Sequence, residues 1–253
     1  MTRSEMIAWL RETDPDRLSE LFGMADLVRH ESVGDEIHLR GLLEISSHCV
    51  RRCAYCGISA ENRGARRFRM TAGEILAAAR EARGFGYGTI VMQGGEDYGI
   101  KADWMADIVR AIKNEIGVAV TLSLGERKDE ELRLWRQAGA DRYLLRFETS
   151  DPALYSLIHP ALPGGFLDRI SQIRRLQDIG YEAGSGVMVG IPGQSWDSLA
   201  NDILTFADLD LDMIGVGPYI PHPDTPMGRF LLCGEGEVRF PTLTPDLQVP
   251  ADA

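Results

Sequence analysis

Cysteine is scarce in this chain of 253 residues, which contains only four. So low a count excludes the disulfide-dense framework of a small secreted domain. Three of the four, Cys49, Cys53 and Cys56, nevertheless fall within eight residues. Clustered cysteines in a chain that otherwise avoids them more often bind a metal or take part in chemistry than form disulfides.

Long apolar runs and an excess of positive charge are also missing. No apolar stretch reaches the roughly 18 residues of a membrane span, and residues 1–21 lack the apolar core of a secretory signal. The formal net charge is −11, which argues against broad binding to nucleic acid or to anionic lipid. We therefore expect a cytoplasmic protein with neither a nucleic-acid nor a membrane partner.

What the sequence does contain is an alternation of short, apolar, β-rich stretches with helical patterns. Buried strands separated by helices imply a parallel sheet with right-handed crossovers. Six such units fit either a doubly wound sheet or a (β/α) barrel. The predicted strands span residues 36–46, 89–93, 118–124, 142–147, 183–191 and 213–220, and each of the first five is followed by a predicted helix.

Polar and glycine-rich residues follow the predicted strands rather than precede them. Active sites of both folds lie at the carboxyl ends of the strands, so this placement favours an enzyme. We expect a helical N-terminal extension over residues 1–35, with two short helices broken at Thr13–Asp16. A barrel core should follow over residues 36–226, and an irregular tail without a helix of ten residues or more over residues 227–253.

The three clustered cysteines have the spacing Cys-x3-Cys-x2-Cys, directly after the first predicted strand. A structural zinc site closes with four ligands, and His48 adjoins Cys49, which makes convergence of the two side chains on one ion unfavourable. A [4Fe–4S] cluster normally takes one thiolate per iron. Three thiolates would leave one iron open to another ligand, which indicates a catalytic centre. A zinc or redox site is the alternative.

This cysteine motif resembles that of the radical S-adenosylmethionine (SAM) superfamily, with Tyr55 in the usual aromatic position. The resemblance implies a (β/α) TIM-type barrel in which the amino and carboxylate groups of SAM chelate the open iron. One-electron reduction then cleaves SAM to methionine and a 5′-deoxyadenosyl radical. These features identify the expected cofactors as a [4Fe–4S] cluster and SAM.

Further motifs narrow the resemblance to the HydE family, the maturases of the [FeFe]-hydrogenase active-site cluster. Biotin synthase and the pyrrolysine-pathway mutase PylB share the fold and the cysteine loop but match "SLGE" and "PYIPHPDTP" less well. The motifs that resemble HydE are "RFRM" (67–70), "QGGED" (93–97), "VTLSLGE" (120–126), "AGADRYLLRFET" (138–149), "GSGVMVGIPGQ" (184–194) and "IGVGPYIPHPDTP" (214–226).

The resemblance to HydE ends near Pro226, where those proteins continue through two more βα units. We therefore expect an incomplete barrel of about six βα units. Three explanations stay open: the sequence is a fragment, a frameshift has replaced its end, or the barrel itself is open. An open barrel would expose two sheet edges and an apolar interior.

The resemblance also assigns site residues. Cys49, Cys53 and Cys56 would ligate the cluster, and Arg169 would pair with the SAM carboxylate. Arg146 and Glu148 occupy alternate strand positions and so can face the same way. Each assignment has an alternative. Gly94 and Gly95 could form a plain βα turn, and Arg146 and Glu148 a structural ion pair. Arg169 could be a solvated helix charge, and Met188 ordinary core packing. The full set expected to bind SAM is Tyr55, Gly94, Gly95, Glu96, Asp97, Arg146, Glu148, Arg169, Met188 and Ile191.

By the same resemblance, the substrate would be an organometallic iron species carrying cysteine, carbonyl and cyanide, delivered by the maturase HydG. The product would pass towards the scaffold HydF, and a ferredoxin or flavodoxin would donate electrons. Two other functions stay open. One is a biotin synthase- or PylB-type enzyme with another small-molecule substrate, and the other is a truncated, non-catalytic iron–sulfur or zinc protein.

Overall fold

The computed structural model describes residues 1–161 and 168–233, which form a half-barrel of six parallel strands. Each strand pairs with the next in chain order, from β1 to β6. A doubly wound sheet would reverse its strand order partway, so the sequential order confirms the barrel type. The strands are β1 (Arg40–Ser46), β2 (Thr89–Gly94), β3 (Ala119–Ser123), β4 (Arg142–Leu144), β5 (Glu182–Val189) and β6 (Met213–Pro218).

Helices connect these strands and cover one face of the sheet. A five-residue π-helical segment, Ile112–Ile116, extends the fourth helix, and Gly117 caps its end. The helices are α1 (Arg3–Leu10), α2 (Pro15–Val33), α3 (Ala72–Gly84), α4 (Ala102–Ala111), α5 (Asp129–Gln137), α6 (Pro152–Ile158), α7 (Arg169–Ile179), α8 (Trp196–Asp208) and α9 (Pro226–Cys233).

Local sequence accounts for where α3 begins. Thr71 accepts a hydrogen bond from the Glu74 amide at 3.3 Å, and the Glu74 carboxylate accepts one from the Thr71 amide at 2.7 Å. This reciprocal pair satisfies two amides that the first helical turn leaves free. Thr71 and Glu74 therefore form a capping box at the start of α3.

The hydrophobic core lies between the sheet and its helices. Ile90 and Met92 alternate along β2 and are completely buried, as are Ile75 on α3 and Trp135 on α5. The indole N–H of Trp135 donates to the carbonyl of Ala102 at 2.9 Å, so this buried ring keeps its polar partner. This packing fixes the helices relative to the strand ends, where the functional side chains lie.

Among the six strands, the outer strands β1 and β6 each pair with only one other strand within the described residues. Ile214 and Val216 on β6 are 54% and 60% exposed. This half-barrel confirms the expected incomplete barrel of about six units. Among the helices of residues 1–161 and 168–233, none has the length and apolar character that crossing a membrane requires.

Several boundaries differ from the sequence-based expectation. β4 ends at Leu144 rather than Phe147, because its regular pairing with β5 is interrupted there and resumes only at an isolated bridge between Glu148 and Val187. At that bridge Glu148 has φ = 63°. The helix α6 was not predicted, since seven residues carry too little periodicity, although Asp151 caps it through the amides of Ala153 and Leu154. The helical pattern before β5 begins at residue 166 in the sequence, and this predicted start of α7 lies outside the described residues.

The first residues of the expected irregular tail form a short helix, α9, whose eight residues stay below the ten-residue length that the prediction excluded. Pro226 suits the first turn of a helix, where its missing N–H costs nothing. Met227 is fully buried, and its amide donates to the carbonyl of Ala54 at 3.1 Å, so tertiary contacts stabilise this short helix. Residues 234–253 of the predicted tail lie outside the described residues.

Candidate active site

The irregular segment of residues 47–62, here called the cysteine loop, carries the three clustered cysteines directly after β1. Backbone hydrogen bonds tie it to its surroundings: the Ala54 amide donates to the Ile158 carbonyl at 2.8 Å, and the Val50 amide to the Glu96 carbonyl at 3.1 Å. Cys53 is buried, Cys49 and Cys56 are half-buried, and none of the three forms a disulfide. The thiols are therefore available as ligands.

All three cysteines line one cavity of about 260 Å³ at the carboxyl ends of the strands. The cavity forms there because polar residues follow the strands, as predicted, and parallel strands all end at the same edge of the sheet. Residues contributed by the other strand ends and by α7 include Gln93, Gly94, Gly95, Glu96, Ser123, Gly125, Arg146, Glu148 and Arg169.

Two glycines allow the turns around this cavity to approach each other closely. A Cβ at Gly95 would lie 2.5 Å from the His48 carbonyl oxygen and 2.6 Å from the Cys49 Cβ. Gly125 has φ = 74°, and a Cβ there would lie 1.9 Å from the Cγ of Glu96. Any larger residue would force these turns apart.

Four charged side chains form a buried network beside the cysteines. The Arg169 guanidinium donates to Glu126 through Nε and to Glu96 through Nη2, both at 3.0 Å. The Arg51 Nη2 donates to Glu126 at 3.1 Å. Two arginines thus neutralise two buried carboxylates that would otherwise be costly to remove from water.

His159 lies between the two arginines of this network. Its Nδ1 is 2.6 Å from the Arg51 Nη2, and its Nε2 is 2.7 Å from the Arg169 Nη2. Burial, reinforced by the charges of Arg169 and Arg51, lowers the pKa of His159 to about 2. Ligand atoms of Glu96, Glu126 and His159 lie within 4.8 Å of one another, but the guanidiniums between them make this an ion-pair network rather than a cation site.

Glu148 presents a carboxylate to the cavity from a strained backbone position, the left-handed φ noted above. Such strain is often retained where a side chain must be aimed for function. Its Oε1 accepts a hydrogen bond from the Tyr55 hydroxyl at 3.3 Å. Burial raises the pKa of Glu148, although the charges of Arg169 and Arg146 and the Tyr55 hydroxyl oppose that rise.

Three buried polar atoms beside the cavity have no hydrogen-bond partner among the described residues: the Nε of Arg51, which lies 3.7 Å from the Oε1 of Glu96, the Oε2 of Glu96 and the Oε2 of Glu148. Buried polar groups are normally hydrogen-bonded, so orphaned ones call for a polar ligand. SAM has the matching groups, an ammonium, a carboxylate and ribose hydroxyls. Burial also raises the pKa of Cys53 to about 12, so its thiolate form depends on a bound metal. These residues fit the expected cofactors.

The cavity brings together most of the residues predicted to bind the cluster and SAM. Three predicted SAM ligands do not line it: Asp97, Met188 and Ile191. Ile191 is buried in a small second core with Ala54, and Met188 packs against that core. The predicted residues that do line it are Cys49, Cys53, Tyr55, Cys56, Gly94, Gly95, Glu96, Arg146, Glu148 and Arg169.

Asp97 turns away from the cavity and pairs with Arg69. The Nε and Nη2 of Arg69 donate to its two carboxylate oxygens, both at 2.7 Å. Ser46 and the Gly99 amide add further hydrogen bonds at 2.7 and 2.9 Å. Burial alone would raise the pKa of Asp97, but these hydrogen bonds lower it to about 2. The geometry thus assigns Asp97 to holding the turn after β2.

Two residues of the site went unrecognised in the sequence. Arg51 stands between two cysteines, where a buried charge is unexpected, and only its position within the motif could have drawn attention to it. His159 precedes Pro160 in a stretch without periodicity and carries no sequence signal. Their pairing joins residues 108 positions apart, which no local pattern reports.

Comparison with known proteins agrees with this geometry. The pattern of the Radical SAM superfamily matches residues 43–206. The chain is 46% identical over 236 residues to the [FeFe] hydrogenase maturase subunit HydE of Thermotoga maritima, covering 91% of this chain and 67% of that protein. It is 29% identical over 239 residues to a biotin synthase of Picosynechococcus, covering 90% of this chain and 64% of that protein.

A solved structure gives the same result for the fold. The crystal structure of methylornithine synthase (PylB) superposes with a TM-score of 0.83 at 24% identity, covering 95% of this chain and 68% of that one. The chain spans about two thirds of the length of the relatives it matches.

Proposed function

The chain belongs to the radical SAM superfamily, and we propose that it binds a [4Fe–4S] cluster and SAM and acts in HydE-type maturation of [FeFe]-hydrogenase. The observation that carries this proposal is the shared cavity. It is lined by the three cysteines and by the strand-end residues that a radical SAM enzyme needs. Three thiolates leave one iron of a [4Fe–4S] cluster without a protein ligand.

Each part of the cavity has a task in this proposal. Cys49, Cys53 and Cys56 hold the cluster, which with SAM bound supplies one-electron reductive cleavage of SAM. The Gly94–Gly95 turn offers backbone carbonyls to the SAM ammonium. Glu148 accepts hydrogen bonds from the ribose or the amine.

Arginines supply the positive charge for the anionic groups. Arg169 lines the cavity, and its Nε and Nη2 are taken up by the buried network. Its Nη1 donates to the Arg146 carbonyl at 2.6 Å, which leaves one N–H of that nitrogen. We assign this N–H to a single charge-assisted hydrogen bond with the SAM carboxylate. Arg146 is exposed and forms no ion pair in the part of the chain that the structure describes. We assign it to a SAM carboxylate or to an anionic substrate.

The HydE-type role is supported by the degree of similarity. Identity to the HydE of Thermotoga maritima is 46%, against 29% to the biotin synthase. The substrate that we propose is accordingly an organometallic iron precursor delivered by HydG. HydF would receive the product, and a ferredoxin or flavodoxin would supply electrons.

The radical SAM activity is tested by loading the protein with iron and sulfide without oxygen and adding SAM and dithionite. We expect 5′-deoxyadenosine from the wild type and none from Cys53→Ala. Absence of 5′-deoxyadenosine from a wild-type sample carrying a full cluster would contradict the enzymatic proposal. Zinc in place of iron would favour a non-catalytic protein.

The HydE-type role needs a separate test. The loaded protein replaces HydE in a cell-free maturation mixture of HydG, HydF and unmatured [FeFe]-hydrogenase, and hydrogen evolution is measured. We expect hydrogen evolution to depend on this protein. 5′-Deoxyadenosine formation without hydrogen evolution would point instead to another substrate of the biotin synthase or PylB kind.

A further inference from the structure

The "RFRM" segment, residues 67–70, does not line the cavity. It lies against the end of β1 and the beginning of the cysteine loop. It pairs in antiparallel fashion with the end of β1 through a bridge between Ser46 and Arg69. The Phe68 amide donates to the Ser47 hydroxyl at 2.8 Å, and the Ser47 amide donates to the Phe68 carbonyl at 3.1 Å. This pairing fixes the backbone directly after Arg67, and the Ser47 hydroxyl fixes it directly before Arg67 by donating to the Arg66 carbonyl at 3.0 Å.

Arg67 uses this fixed position to reach across the cysteine loop. Its guanidinium donates to four backbone carbonyls of that loop and forms no ion pair within the described ranges. The distances are 2.5 Å to Ser47, 2.7 Å to Ile58, 2.7 Å to Ser59 and 3.2 Å to Asn62. One side chain thereby joins the beginning of the loop to its end.

The loop needs such a partner because it has no regular secondary structure to satisfy its carbonyls. Unpaired buried carbonyls cost free energy, and ordering a loop of this length costs conformational entropy. A guanidinium carries five donors in a fixed plane, whereas a lysine ammonium carries three on a compact point charge. The four contacts therefore require arginine rather than positive charge alone.

The charge of Arg67 also lies within reach of the cysteines. Its guanidinium contacts the carbonyls of Ile58 and Ser59, which follow shortly after Cys56 in the loop. Arg67 and Cys49 also line one common surface recess. A positive charge at this place favours added negative charge on the thiolates or on a cluster bound to them.

We propose that Arg67 is the positioning residue of the cysteine loop: it holds the loop in its ligating conformation and favours the reduced state of the bound cluster. The first part concerns the loop itself, and the second rests on the proposed binding of an iron–sulfur cluster. Arg67 touches neither reacting atoms nor the cavity, so its effect is exerted through the loop and through its charge.

The first test uses the protein without a cluster, so that its outcome is independent of the proposed function. Amide hydrogen exchange is compared among wild type, Arg67→Gln, Arg67→Lys and Arg66→Gln. Arg66 is the matched control, because it is an exposed neighbour without a recorded ion pair in the described residues. We expect exchange in residues 47–62 to rise at least about tenfold in both Arg67 variants, from the loss of charge-assisted hydrogen bonds.

The rest of the barrel serves as an internal reference. Strand amides of β2 and β3 should exchange at wild-type rates in every variant, which shows that the fold is intact. Unchanged exchange in the cysteine loop of Arg67→Gln would overturn the proposal. Should Arg67→Gln fail to fold, the same comparison is made with Arg67→Lys, which keeps the charge.

The second test separates geometry from charge in the cluster-loaded protein. Iron loss to a chelator should be faster by about tenfold in both Arg67 variants than in Arg66→Gln. The midpoint potential should become more negative in Arg67→Gln than in Arg67→Lys, because only the lysine keeps the charge. Equal potentials in these two variants would overturn the electrostatic part. A wild type that takes up no iron would contradict the proposed function and leave the exchange result valid.

Discussion

Gly95 approaches Cys49 so closely that a Cβ at residue 95 would lie 2.6 Å from the Cys49 Cβ. The turn after β2 and the cysteine loop are therefore in direct contact, and glycine permits that contact. The amide of Val50 reinforces it by donating to the Glu96 carbonyl. The elements proposed to hold the cluster and SAM thus form a single unit.

Gly95→Ala should disrupt this unit. The added methyl group also meets the His48 carbonyl oxygen at 2.5 Å, and backbone cannot move aside as a flexible side chain can. We expect a loss of about 1–3 kcal/mol in the free energy of unfolding and a lower iron content after reconstitution. Urea denaturation and iron analysis measure the two effects.

Gly64→Ala is the control for that substitution, because its Cβ would meet only the Asn62 side chain at an ordinary 3.5 Å. It should match the wild type in both measurements. If Gly95→Ala matched Gly64→Ala in stability and iron content, the close contact between the turn after β2 and the cysteine loop would be contradicted.

Arg169→Gln should destabilise the protein even without any cofactor. Arg169 is 8% exposed and pairs with Glu96 and Glu126, so its removal leaves buried carboxylates short of a partner. The expected loss in the free energy of unfolding is about 3 kcal/mol. Arg174→Gln, at an exposed position on the same helix, should change it by less than about 0.5 kcal/mol. An equal loss of free energy of unfolding in Arg169→Gln and Arg174→Gln would show that Arg169 is a solvated helix charge.

Glu148→Gln should weaken SAM binding without reducing the iron content. Gln keeps the shape of the side chain but loses the charge of the orphaned Oε2. Hydrogen bonds to charged groups are typically strong enough that we expect the dissociation constant of SAM to rise about tenfold. Equilibrium dialysis of the cluster-loaded protein measures it, with exposed Glu130→Gln as control. An unchanged dissociation constant would remove Glu148 from the SAM site.

Asp97 should make the stability of the fold depend on pH in the acid range. Its pKa is about 2 in the folded protein, against an ordinary value of 3.8. The unfolded chain therefore takes up the proton first as the pH falls. The carboxylate stabilises the fold above about pH 4, and we expect this contribution, about 1–2 kcal/mol, to vanish between about pH 4 and pH 2.

Comparison of the wild type with Asp97→Asn isolates that contribution. The difference in the free energy of unfolding should shrink as the pH falls through this window, and Asp208→Asn, at an exposed position, should show no such change. A difference that stayed constant with pH would contradict the assigned role of the Arg69–Asp97 pair.

Local patterns predicted the strands and the polar residues at their ends. The choice of a barrel and the assignment of most cavity residues came instead from the resemblance of the motifs to a known family. The strands could be read from apolar runs, and their glycine-rich ends placed Gly95 and Glu96 correctly beside the cysteines. The direction of Asp97 could not be predicted. It follows from Arg69, whose approach depends on the antiparallel pairing of the "RFRM" segment with β1.

Longer-range pairings account for the other differences. Arg51 contacts Glu126 across 75 positions of the chain and His159 across 108. α9 was missed for a related reason, since its eight residues depend on packing of Met227 rather than on their own periodicity. Sequence patterns specify which side chains lie at the strand ends, whereas their mutual ion pairs emerge only from the fold.

The central claim is that three cysteines hold a [4Fe–4S] cluster whose remaining iron lies open to SAM in the shared cavity. Electron paramagnetic resonance of the dithionite-reduced, cluster-loaded protein, recorded with and without SAM, tests it most directly. The account predicts the spectrum of a [4Fe–4S] cluster that changes on addition of SAM. A fully loaded cluster whose spectrum is the same with and without SAM would contradict it.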